Sequence, residues 1–120
     1  MEELVVQGGN IFTAGPNVLA AEQTLELYSA PNITIEKIVS TGQASPVGFW
    51  FDQEWTEWVI LLSGSAGLLV EGEASIRTLR PGDFLELAAH VRHRVEWTAA
   101  DQPTVWLAMH IKPPSTHGQP

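Results

Sequence analysis

The chain has no cysteine, only six lysines and arginines, and no apolar run longer than five residues. Without thiols, disulfides, thiolate nucleophiles, iron–sulfur clusters and zinc-finger sites are excluded. The six basic residues face fourteen acidic ones, a formal net charge of −8. That field repels a phosphate backbone or an anionic bilayer, which argues against nucleic-acid and membrane-surface partners. The longest apolar run, Trp58 to Leu62, is far short of the roughly 20 residues needed to cross a bilayer as a helix. Met1-Glu2-Glu3 is acidic where a secretory signal is basic, so a soluble, cytoplasmic protein is expected. Helical periodicity is missing too, for no stretch of ten residues carries a convincing 3.6 repeat.

What is present is a globular composition, 44% apolar and 17% charged, in 120 residues. That is one domain's worth of chain, with no room for a separate cofactor domain. Residues 1–20 hold Gly8-Gly9 and Gly15-Pro16 and read as an irregular arm; residues 113–120, with Pro113-Pro114 at their start, read as a tail. Between them, residues 21–112 form the expected domain. Thr24 to Tyr28 and Ile33 to Glu36 alternate with period two around Pro31-Asn32, a hairpin signal; a short helix over 21–28 is the rival, because Leu25 and Tyr28 are three apart. Trp58–Ser63, Ala66–Val70, Ala74–Leu79, Phe84–Leu87, His93–Trp97 and Val105–Ile111 are further β-prone runs. Arg80-Pro81-Gly82-Asp83 reads as a type II turn in which Asp83 supplies a side-chain acceptor. The pattern predicts an all-β sandwich or barrel with no sequence repeat.

Two segments carry a resemblance. Glu57 is followed by six residues and Gly64; Gly82 is followed by five residues, then Ala88, His90 and His93. These resemble the two halves of the cupin signature, and the run from Gly48 to Trp97 with Pro103 to Leu107 resembles single-domain bacterial cupins of the cupin 2 conserved-barrel type. The resemblance implies a small double-stranded β-helix, the jelly-roll or cupin barrel. The chain departs from the signature in lacking both histidines of its HxH pair. A three-residue gap before Glu57 puts Phe51 and Gln53 in those slots; a four-residue gap puts Trp50 and Asp52 there. In the second half, Ala88 stands for the proline and His90 for the glycine.

Glu57 and His93 are therefore the candidate catalytic pair. Alternation along a strand would turn Val59 and Leu61 inward with Glu57, and Val95 and Trp97 inward with His93. A buried carboxylate needs a cation, a donor or a proton. A divalent metal (Fe, Mn, Ni or Zn) held by Glu57, His93 and either Asp52 or Gln53 would meet that need; a metal-free hydrogen-bonded pair would meet it too. Trp50, Trp97 and His90 are candidate ligand contacts at the pocket, whereas His110 reads as packed or surface. Trp58 has the opposite parity to Glu57 and is expected on the exterior, in an apolar patch that favours a homodimer. Two functional classes follow: a small metal-dependent enzyme acting on an organic molecule (oxygenase, isomerase or lyase type), or a non-catalytic small-molecule-binding barrel serving as sensor or store.

Overall fold

In a computed structural model the described residues are 4–13 and 21–113. Gly15-Pro16 of the expected arm and Pro114 to Pro120 of the expected tail lie outside them. Eight strands form: β1 (Gln23–Ala30), β2 (Ile33–Ser40), β3 (Thr56–Ser63), β4 (Ala66–Val70), β5 (Arg77–Leu79), β6 (Phe84–Leu87), β7 (His93–Thr98) and β8 (Thr104–Ile111). One sheet runs β1-β2-β8-β3-β6 and the other β5-β4-β7. All pairs between them are antiparallel. The fold is an all-β barrel of two antiparallel sheets. Among the described residues there is no helix, and none long and apolar enough to cross a membrane.

Residues 23–30 are a strand, and a β-bulge explains their helix-like spacing. The register of β1 on β2 shifts between Glu26 and Tyr28, so Leu25 pairs with Lys37 and Tyr28 with Ile35. Lys37 and Ile35 share a face of β2, and the extra residue therefore turns Leu25 and Tyr28 to one side despite their odd separation. The run Ala74–Leu79 yields a ladder only over Arg77–Leu79, because residues 71–76 are spent on the turn around Gly72, whose φ is +94°.

Paired residues in an antiparallel ladder share a face, which sorts the large sheet into rows. Leu87–Glu57–His110–Thr34 and Val59–Ala108–Glu36–Glu26 run along the inside. Tyr28–Ile35–Met109–Trp58–Glu86 and Lys37–Leu107–Ile60–Phe84 run along the outside. The core sits at one end of the interior, where Leu61, Ala66, Leu68, Leu79, Leu87, Trp106 and Ala108 are buried together. The Pro81-Gly82 turn is fastened to β3: the Gly82 amide donates to the Leu61 carbonyl at 2.7 Å and the Leu61 amide to the Asp83 carbonyl at 3.0 Å. Asp83 Oδ2 accepts the Arg80 amide at 2.8 Å, as the turn chemistry predicts.

Candidate functional site

A chamber of about 870 Å³ opens between the two sheets beyond the core. Its inner wall continues the alternation of β3 upstream: Phe49, Phe51, Gln53, Trp55, Glu57 and Val59 all line it. The intervening Trp50, Asp52 and Glu54 do not. This decides between the two placements of the missing HxH pair: Phe51 and Gln53, the three-residue spacing, occupy the inward positions. A phenyl ring and an amide stand where the signature has imidazoles.

Phe51 is locked in place by β7. Its amide donates to the His93 carbonyl at 2.8 Å, the His93 amide donates back to the Phe51 carbonyl at 3.1 Å, and the two rings stack at 5.3 Å. His93 starts β7 from the smaller sheet, and its side chain is 5% exposed. Nδ1 donates to the Val91 carbonyl at 2.9 Å, since a carbonyl can only accept. That leaves Nε2 facing Glu57 Oε1 at 3.5 Å, with Glu57 12% exposed. Burial of the ring favours neutral imidazole, but the Glu57 carboxylate and the Val91 carbonyl together outweigh it, and the His93 pKa lies above its ordinary value. At 3.5 Å the two groups form an ion pair without a closed hydrogen bond.

The structure separates the other expected contacts from this pair. Asp52 points outward and meets His90, Oδ1 to Nδ1 at 2.9 Å, with both side chains well exposed. His90 adopts a left-handed backbone, φ +65°, in the slot that the signature gives to glycine. Histidine is among the residues that tolerate that region, and its amide is held by the Gln53 carbonyl at 2.7 Å. Trp50 lies outside the chamber against the guanidinium groups of Arg92 and Arg94, at 5.5 and 5.9 Å. Trp97 is turned out by a bulge: the β4–β7 register shifts between Gly67 and Leu68, so Val95 stays on the chamber wall while Trp97 lies over Gly67. Alternation counted from His93 does not survive the extra residue.

Sequence reasoning passed over a second imidazole. His110 lines the chamber and is the cross-strand partner of Glu57. Its Nδ1 accepts the Trp55 indole N–H at 2.8 Å, so the proton is on Nε2, which donates to Glu36 Oε2 at 3.1 Å. Its parity with Trp106 and Ala108 was legible; the register placing it beside Glu57 was not.

A metal fits this donor set poorly. Among the described residues no three His, Asp or Glu side chains converge as a cation site. Glu57 and His93 meet, Gln53 shares their wall, Asp52 faces away, and both ring nitrogens of His110 are engaged. Catalytic metal sites ordinarily use three strong protein ligands.

No family model and no curated protein matches the chain. Solved structures do. A protein from Ralstonia eutropha JMP134, provisionally described as a mannose-6-phosphate isomerase, is 47% identical with a TM-score of 0.87 over 89% of this chain and 99% of its own. A cupin superfamily protein of Desulfitobacterium hafniense DCB-2 shares 15% identity at a TM-score of 0.66, covering 78% of this chain and 80% of that one. A cupin 2 conserved barrel domain protein from Leptotrichia buccalis shares 17% at 0.66, covering 82% and 44%. The last two speak for the barrel alone; the first extends the likeness through nearly a whole sequence, and the fold this chain shares with these structures is the cupin barrel.

Proposed function

We propose that the chamber binds a small organic molecule and that Glu57 and His93 move protons on it in an isomerase-type reaction without a metal. The observation that carries this is the buried pair itself, an acid and a base held 3.5 Å apart with His93 oriented from behind by Val91. An imidazolium donor beside a carboxylate acceptor suits a carbon acid next to a carbonyl. Glu57 takes the C–H proton while His93 Nε2–H protonates the carbonyl oxygen, giving an enediol. The neighbouring hydroxyl then returns a proton to His93, and Glu57 delivers its proton to the former carbonyl carbon. The balance is an isomer of the starting material, with both groups restored. The 47% identical Ralstonia protein, with its provisional isomerase description, supports the reaction type.

The test is deuterium exchange into a panel of hexoses and hexosamines in D₂O, followed by proton NMR, with protein purified without a histidine tag and treated with chelator. Chelated wild type is expected to exchange the proton beside the carbonyl, and Glu57→Gln to lose about 10²–10⁴-fold in rate. Stoichiometric metal that disappears in both Glu57→Ala and His93→Ala, with exchange dependent on it, would replace this reading by the metal-dependent one. Saturable binding without any exchange would favour the sensor or storage class.

A second copy of this chain is the partner we infer for the outer face of the large sheet. Trp58 stacks on Phe84 at 5.3 Å there, and Phe84 remains 60% exposed beside Ile60 and Leu107. In the arm, Leu4, Val5 and Val6 are 80–91% exposed and bury nothing against their own barrel. Both surfaces are apolar and shed water if they meet a partner. Light scattering at micromolar concentration is expected to give twice the 13.1 kDa chain mass, and Phe84→Glu to give the monomer. A monomeric wild type removes the dimer.

A further inference from the structure

We propose that the chamber selects a small amine-bearing, unphosphorylated molecule. This rests on the reading of the chamber as the binding site and names the ligand class.

All six lysines and arginines lie within the described residues. Arg77 is paired with Glu73 on the surface and Arg92 with Glu71. Arg94 is held by Glu96 and by the carbonyls of Ser45, Pro46 and Phe49. Lys37 lies on the outer row of the sheet and donates to the Thr13 carbonyl, and exposed Arg80 belongs to the Pro81-Gly82 turn. Only Lys112 lines the chamber. Against it stand the carboxylates of Glu22, Glu26, Glu36 and Glu57 on the same walls.

A phosphate dianion entering this space would meet four carboxylates with one ammonium, the His93 ring already facing Glu57, and no guanidinium fork to receive it. An ammonium meets the opposite situation. The overall charge of −8 draws it in, and the mouth offers carboxylates and aromatic faces together. The chain already seats one cation there: Lys112 Nζ lies 5.2 Å from the centre of the Trp55 ring. The Trp55 indole N–H is spent on His110, which fixes the ring that carries this cation. Glu36, bonded to the same His110, supplies the nearest fixed negative charge in this chain of contacts.

The experiment compares mannosamine, mannose and mannose 6-phosphate, one hexose skeleton with three charges, by NMR of the chamber indoles of Trp55 and Trp106. Mannosamine is expected to shift the Trp55 resonance saturably, with a dissociation constant at least tenfold below that of the phosphate and below that of mannose. The preference should shrink with added salt. In Glu36→Gln, whose amide oxygen still accepts the His110 proton while the charge is gone, the tenfold margin should fall below about threefold. Mannose 6-phosphate binding in the chamber as tightly as the amine, or mannose doing so, overturns this inference and leaves the chamber reading standing. Silence of both indoles towards all three compounds overturns both.

Discussion

Gly64→Ala is expected to destabilise the protein by about 3 kcal/mol or more, enough to lower the midpoint of thermal unfolding by on the order of 15 °C. Gly64 directly follows β3 and is the signature glycine separated from Glu57 by six residues. Its φ is +87°, and an added Cβ would lie 2.6 Å from the Thr104 Cα and 2.8 Å from the Pro103 carbonyl oxygen. Thr104 Oγ1 also stands in the way, and the two backbone atoms cannot swing aside as that side chain could. Relief would require β8 to move away from the β3 end, and β8 carries Trp106 and His110 of the chamber wall. Gly72 and Gly82 are the controls. Their φ values are +94° and +95°, but a Cβ at either meets nothing within 4 Å. Alanine at those sites is expected to cost only about 1 kcal/mol, the conformational penalty alone. Calorimetry of the three variants separates collision from backbone strain; equal losses at all three would refute the close approach of β3 and β8.

Removing either member of the buried pair is expected to change both stability and its pH dependence. His93→Ala strands the Glu57 carboxylate in a nearly dry site and removes the ring stacked on Phe51. Breaking one side of a buried pair costs about 3–5 kcal/mol. The sign of the pH effect follows from the raised His93 pKa. The folded state binds this proton more tightly than the unfolded chain does. The contribution is therefore fully present below the unfolded value of about 6.5, and it is lost as pH rises through the higher folded value. Urea unfolding of wild type across that window should show stability falling towards alkaline pH. Glu57→Gln removes the carboxylate that opposes burial; burial then outweighs the Val91 carbonyl, so its His93 should titrate below the ordinary value and the slope should reverse. A wild-type His93 that titrates below its ordinary value, or one indifferent to Glu57→Gln, would contradict the pairing.

Much of the site was legible because a strand's two-residue period is local. Glu57 with Val59 and Leu61, and His93 with Val95, face the interior as their spacing requires. Where alternation failed, a bulge intervened. Trp97 was placed inside by parity, and the extra residue in β7 turned it out. Leu25 and Tyr28 mimicked a helix for the same reason in β1. Bulges arise where two paired strands demand different lengths, and a single strand's residues do not record that demand. His90 illustrates another kind of silence. A histidine in a glycine slot reads as a ligand candidate, but its left-handed backbone and outward pairing with Asp52 make it part of the turn that delivers His93 to β7.

By itself the amino-acid order determined an all-β chain, the two motif halves and the inward direction of Glu57 and His93, since these depend on neighbours a few positions away. Only the tertiary structure decided that Phe51 and Gln53 face the chamber while Trp50 and Asp52 lie outside it, and that His110 stands beside Glu57 with Glu36 bonded to its ring. Those facts depend on register between strands up to 74 positions apart, as in the bond from His110 to Glu36. Register is fixed by which whole faces bury together, an outcome of packing across the barrel that no local pattern contains.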